Sequence, residues 1–262
     1  MAEVSREPRP TPGTCPGDLP RLARIVRIDD ENYRVKTFTL DLTLSTARPG
    51  QFVMAWLPGV NERPLSLLDG SPLRFTVARV GDFTTALHSL GMGDRVWVRG
   101  PLGNGFTRVG QRLLLVGGGY GVAPLHFLAR AARAEGCQVS VVIGARSAAD
   151  LLFRERFAAL GATVVVTTDD GSVGIPGLVT SGVRHLVAHA AAPFDQLYAC
   201  GPRAMLLALA GLAHSLGLPA QLSWENQMRC AIGICGTCER DGWLVCREGP
   251  VETLDLAQPA SM

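Results

Sequence analysis

The chain has 262 residues, of which 47% are hydrophobic and 18% charged, with a formal net charge of +2. That supplies the core of one large or two ordinary folded units, and so small a charge argues against nucleic acid or an anionic membrane as partner. No apolar run reaches membrane-spanning length and the N-terminus lacks an apolar signal core, so a cytoplasmic protein is expected.

Residues 1–18, rich in Pro, read as a flexible tail. Between 19 and 110 the segments ARIVRI, YRVKTFTL, QFVMAWL, LRFTVARV and RVWVRG are rich in β-branched and aromatic residues. Turn signals such as Arg48-Pro49-Gly50 separate them. Short strands with regular turns predict an antiparallel β-barrel, interrupted by a helical piece near Thr85–Leu90. Between 111 and 223 the period changes. The strand-like RLLLVGG, QVSVVIGAR, TVVVTTDD and DQLYACGP alternate with helical patterns in VAPLHFLARAARAEG, ADLLFRERFAALG, about Val179–Ala190, and AMLLALAGLAHSLG. That alternation predicts a Rossmann-like α/β unit with a parallel sheet. Residues 224–262 are Cys- and Gly-rich and too short to build a core without a bound metal centre.

Seven cysteines are present, and four of them, Cys230, Cys235, Cys238 and Cys246, fall within one short stretch, CAIGICGTCERDGWLVC. A disulfide framework would be spread along the chain, whereas this grouping suggests metal ligation. The opening C-x4-C-x2-C agrees with plant-type [2Fe–2S] ligation, in which two thiolates serve each iron. A structural zinc site with four cysteine ligands is the competing reading, although zinc sites more often show two C-x2-C knuckles. Cys15 and Cys137 suggest no role. The histidines show no metal spacing, and His126, His185, His189 and His214 are expected on helix faces or at the surface.

In LLLVGGGYGVAPLHFL a strand runs into a glycine turn at Gly118, Gly119 and Gly121 and then into a helix. Such a turn brings backbone N–H groups to a pyrophosphate. Thr168-Asp169-Asp170 and Cys200-Gly201-Pro202 end later strands, where parallel sheets bind ligands, and Cys200 is a candidate neighbour of a nicotinamide ring. A nicotinamide exchanges a hydride, two electrons at once, while a [2Fe–2S] cluster takes one. Something between them must convert, and a flavin can. The barrel is the free candidate to hold it: in Arg63-Pro64-Leu65-Ser66 the arginine can meet a pyrophosphate and the serine a flavin ring. Read alone, the same four residues also suit a surface turn. No nucleophile or acid–base pair is required, so no catalytic side chain is assigned.

The motifs RPLSLLD, GPLGNGF, VGGGYGVAPL, TTDDGSVG, YACGP, M-x-C-x4-C-x2-C and CREGPV, in this order over about Leu19–Val251, resemble the ferredoxin–NADP reductase superfamily. Within it, they resemble the electron-transfer subunits of class B dihydroorotate dehydrogenases. The resemblance implies an oxidoreductase component of pyrimidine biosynthesis. It would pass electrons between NAD(H), FAD and a [2Fe–2S] cluster, to or from an FMN-containing catalytic subunit, in a heterotetramer of two plus two. The alternative is a related NAD(P)H-dependent flavin and iron–sulfur reductase serving another redox partner.

Residue by residue, the resemblance implies FAD contacts from Arg63, Pro64, Leu65 and Ser66, with Thr84 and Thr85 near its pyrophosphate. It implies NAD contacts from Gly118, Gly119, Gly121, Cys200, Gly201 and Pro202, and cluster ligation by Cys230, Cys235, Cys238 and Cys246. It favours NAD over NADP, although Arg146 and Ser147 could serve a 2′-phosphate. Ala231 stands where relatives often have Gly, so the turn after the first ligand is expected to differ. The seven-residue gap before Cys246 is short.

Overall fold

The computed structural model describes residues 19–256, so the expected tail at 1–18, with Cys15, lies outside the described residues. Six strands close an antiparallel barrel: β1 (Arg21–Asn32), β2 (Val35–Leu40), β3 (Phe52–Leu57), β4 (Asn61–Gly70), β5 (Leu73–Ala78) and β6 (Arg95–Leu102). Their order is β1-β2-β5-β4-β3-β6. Phe38, Leu67, Leu73, Phe75 and Val98, all essentially inaccessible, fill it. Helix α1 (Asp82–His88) begins three residues before the expected piece. Its start is set by Thr84 Oγ1, which accepts from Val80 N at 2.9 Å and Gly81 N at 3.0 Å.

Strand β4 was not anticipated, and it carries Arg63-Pro64-Leu65-Ser66, so these residues form a strand and not a turn. Throughout Asn61–Ser66 it pairs with β3, but it pairs with β5 only from Leu67 to Gly70. Its first half therefore has one open edge, where a proline without an N–H costs no ladder bond. Leu65 points inward and Ser66 outward.

The strands of the second unit are β7 (Arg112–Gly118), β8 (Gln138–Ala145), β9 (Thr163–Thr168), β10 (Ile175–Pro176), β11 (Gln196–Cys200), β12 (Ala220–Ser223) and β15 (Val251–Thr253). They form one seven-stranded sheet in the order β10-β9-β8-β7-β11-β12-β15. All pairings are parallel except that of β15 with β12. Helices α2 (Val122–Ala134), α3 (Arg154–Ala159), α4 (Val179–His189) and α5 (Arg203–Leu216) connect them. Strand order reverses between β7 and β11, opening a crevice at their C-terminal ends.

The helix expected over ADLLFRERFAALG is shorter than predicted. A single 3-10 turn at Ala148–Asp150 precedes α3, and Phe153 breaks the backbone with φ +64°. Leu152 and Phe153 both go into the core instead of continuing a helical stripe. His126 lies on α2, as expected, and is half-buried. It packs edge-on between Phe153 and Phe157, and burial with nearby Arg156 lowers its pKa to about 4.

The two units are tied by side chains. Phe127 of α2 joins the barrel core, and Arg130 pairs with Asp69 at 2.7 Å. From the β1–β2 hairpin, Tyr33 Oη and Arg34 Nη2 both donate to Asp150, at 2.8 and 2.9 Å. The C-terminal residues hold β13 (Glu239–Arg240), β14 (Trp243–Leu244) and α6 (Val245–Glu248). They complete their small core with Phe52 and Met54 of the barrel, and β15 joins the large sheet. Among the described residues no helix is long and apolar enough to cross a membrane.

Candidate functional site

Two cavities lie side by side. The first, of ≈ 480 Å³, opens on the free edge of β4 and is lined by Arg63, Pro64, Leu65 and Ser66, together with Gly81–Thr84. Arg63 Nη1 donates to the Glu62 carbonyl at 3.2 Å, and among the described residues no carboxylate pairs with it. A cation without a counter-ion on the lip of a cavity suits a pyrophosphate. Thr84 lines the same wall, but its hydroxyl is engaged at the start of α1 and also donates to Gly81 O at 2.9 Å. Thr85 is exposed and lies outside the lining. These residues fit a flavin: a free cation, a proline and a hydroxyl line one wall of the cavity.

The far wall of this cavity comes from the other unit: Gly121, Ala123, Pro124, Cys200, and the run Ser223–Met228 that leads to Cys230. Gly121 is required by close approach, because a Cβ there would run into the Cys200 carbonyl. Burial, reinforced by Glu225, pushes the Cys200 thiol up to about 12, so it stays a neutral, apolar-surfaced wall.

The second cavity, of ≈ 380 Å³, occupies the crevice between β7 and β11 and is lined by Gly118, Gly119, Pro202 and Met205. Gly119 has φ +54° and open space where a side chain would stand, leaving the backbone accessible to a ligand. Gly201 lies between Cys200 and Pro202 but lines neither cavity. Asp169, at the end of β9, lines the crevice, where a carboxylate suits ribose hydroxyls. Arg146 lines the crevice with its side chain 69% exposed, and Ser147 follows it in the chain. Both engage Asp150, at 3.7 Å and 3.2 Å. These residues fit a nicotinamide dinucleotide in the crevice.

Tyr120 and Glu225 line both cavities, and the tyrosine hydroxyl lies 3.5 Å from the Glu225 carboxylate. Burial and Glu225 together push Tyr120 up to about 12, and burial raises Glu225. Sequence reasoning missed Glu225, Arg34 and the bridging role of Tyr120. Tyr120 lies within the glycine turn, between Gly119 and Gly121. Arg34 reaches the crevice from the barrel through pairing that no local pattern announces.

The four cysteines meet two by two. Cys235 N donates to Cys230 Sγ and Cys246 N to Cys238 Sγ, each at 3.4 Å. Ile234 N adds a second bond to Cys230 Sγ. The Thr237 hydroxyl, followed by backbone amides, brings Cys235 down to about 6. Burial and then Cys238 push Cys246 up to about 12, a proton that metal binding would have to displace. Among the described residues no group of three or more His, Cys, Asp or Glu is gathered to hold a single metal ion. Two thiol pairs with amides aimed at sulfur fit a two-iron centre better than one tetrahedral zinc.

Ala231 follows the first cysteine of the set directly. It adopts φ +56°, the glycine-like conformation, with its methyl 2% exposed in the Phe52–Met54–Val245 core. Relief of left-handed strain, ~1 kcal/mol, opposes loss of a buried methyl, ~0.8 kcal/mol, so Ala231→Gly should change stability by under about 1 kcal/mol. Ala231→Val, branched at a positive φ and overpacked, should cost roughly 2–3 kcal/mol. Denaturant unfolding of the two variants checks both values.

Residues 115–210 match the model of the oxidoreductase NAD-binding domain family. The chain is 39% identical over 236 residues to the "probable dihydroorotate dehydrogenase B (NAD(+)), electron transfer subunit" of Methanocaldococcus jannaschii, covering 89% of this chain and 90% of that protein. With the protein of the same name from Thermococcus kodakarensis it shares 42% over 233 residues, 88% of this chain and 95% of the other. A solved structure described as an NADH-dependent reduced ferredoxin–NADP oxidoreductase matches with a TM-score of 0.79 and 31% identity, covering 93% of this chain and 90% of that one.

Proposed function

The chain belongs to the family of dihydroorotate dehydrogenase B electron transfer subunits, and from that membership we propose how its residues divide the work. It is the oxidoreductase component that carries electrons between NAD(H), FAD and a [2Fe–2S] centre. Its partner is an FMN-containing catalytic subunit acting on dihydroorotate and orotate in the cytoplasm, in a two-plus-two heterotetramer. The observation that carries this reading is the continuity of the sites. The two cavities share Tyr120 and Glu225, and the wall of the flavin cavity, Ser223–Met228, runs straight into the cysteine loop.

When bound, the flavin and the iron–sulfur centre supply the conversion between paired and single electrons. Arg63 would hold the flavin's pyrophosphate, and Leu65 and Ser66 would seat its ring. Gly118, Gly119 and Pro202 receive the dinucleotide, and Asp169 its ribose. The buried, protonated Cys200 presents a surface that carries no charge beside the reacting rings and keeps water out. Cys230, Cys235, Cys238 and Cys246 would hold the two irons. Positioning carries the rate, so no side chain needs to exchange a proton with substrate.

The test is co-expression with the FMN-containing catalytic chain. The expected result is a co-purifying complex with flavin and iron that reduces NAD with dihydroorotate and reduces orotate with NADH. A chain that binds both cofactors but delivers electrons only to a ferredoxin would replace this reading with that of a reductase for another partner.

A further inference from the structure

Arg99, on β6, lies under the cysteine loop with its side chain only 11% exposed. Its Nε and Nη2 donate to the two carboxylate oxygens of Glu62 at 2.7 and 2.9 Å. Nη2 also donates to the backbone carbonyl of Cys230 at 3.0 Å. Glu62 sits on β4 directly before Arg63, and its own carbonyl accepts from the Arg63 guanidinium. A single guanidinium therefore joins the strand that lines the flavin cavity to the first residue of the cysteine set.

The guanidinium fork is planar, permanently charged and rigid, so a two-toothed grip on Glu62 fixes the direction of the second Nη2 donor, which meets Cys230. Low exposure leaves both charges weakly screened. We propose that Arg99 and Glu62 are a positioning pair that sets the Cys230 end of the loop against β4 and fixes the reduction potential of the centre held there. This rests on the reading of Cys230 as a ligand of a [2Fe–2S] centre. A centre that accepts an electron gains negative charge, so a nearby cation favours the reduced form and a nearby anion the oxidised form. The pair places one of each beside Cys230. Neutralising Arg99 takes a cation, and neutralising Glu62 an anion, from beside Cys230, so the two removals should act in opposite directions.

The experiment is a redox titration of the purified, cofactor-loaded complex, with the centre followed by its electron-paramagnetic-resonance signal. Arg99→Gln should lower the potential of the iron–sulfur centre and Glu62→Gln should raise it. Arg99→Lys keeps the charge and loses the fork, so it should stay nearer wild type than Arg99→Gln. Its amides from Cys230 to Cys235 should nevertheless exchange hydrogen faster. Potentials that do not move, or that move in the same direction in both neutralising variants, overturn the proposal. If Arg99→Gln fails to retain the centre, Glu62→Gln decides: an unchanged or lowered potential overturns it. A wild-type protein without the iron–sulfur signal would instead sink the functional reading beneath it.

Discussion

Replacing Cys238 by serine should remove the iron–sulfur absorption and cut electron delivery to the catalytic partner by on the order of 100-fold or more, beyond the loss usual for an outer-sphere contact. Cys238 is 1% exposed, accepts from the Cys246 amide through sulfur, and packs with Phe52, Met54, Met228 and Val245. Its carbonyl also accepts from Asn226 Nδ2 at 3.1 Å. The substitution therefore removes a ligand and loosens the loop that closes the flavin cavity. NADH oxidation with a two-electron dye should survive, because Arg63, Ser66 and the glycine turn are untouched. Cys235, on the exposed side of the loop, should lose the centre equally on conversion to serine but with a smaller fall in melting temperature. Iron analysis, absorption spectra and the two assays, run in parallel, check these outcomes. A Cys238→Ser protein that keeps the wild-type spectrum would remove this residue from the ligand set.

Chemistry that depends on neighbours along the chain is legible in the sequence alone. The glycine turn between β7 and α2 is such a case, since strand, turn and helix follow one another directly. The spacing of the cysteines is another, because a thiolate cluster gathers its ligands from a short loop. The alternation of strand and helix announces the α/β sheet, and the short alternating segments announce a barrel. Strand β4 escapes because its pattern is interrupted by Arg63 and Pro64, residues that suit an edge facing a ligand and not a paired ladder. The helix expected from Ala149 is shortened for a long-range reason as well. Asp150 is held by Tyr33 and Arg34, more than a hundred residues away in the chain. Glu225, Arg34 and the Arg99–Glu62 pair share that origin. Each becomes meaningful only when the barrel is brought against the sheet, and composition or period carries no trace of it.

The same open edge of β4 makes Arg63 the residue whose loss should most affect flavin binding. Arg63→Ala should weaken FAD binding by roughly 10- to 100-fold, since a hydrogen bond to a charged group contributes ~1.5–3 kcal/mol and each 1.4 kcal/mol is tenfold. The loss should be selective. Arg63 lines the cavity, donates to the neighbouring Glu62 carbonyl, and leaves the bidentate grip of Arg99 on the Glu62 carboxylate intact. Iron content should therefore remain near wild type. Arg63→Lys, which keeps the charge without the planar fork, should recover part of the affinity. Ser66→Ala removes one neutral hydrogen bond, worth ~1 kcal/mol, and should weaken binding less than tenfold. Fluorescence titration of the flavin-depleted protein with FAD measures all three. An Arg63→Ala protein that binds FAD as tightly as wild type would move the pyrophosphate elsewhere along the barrel. The wall at Gly81–Thr84 would then be the next surface to probe, because it lines the same cavity.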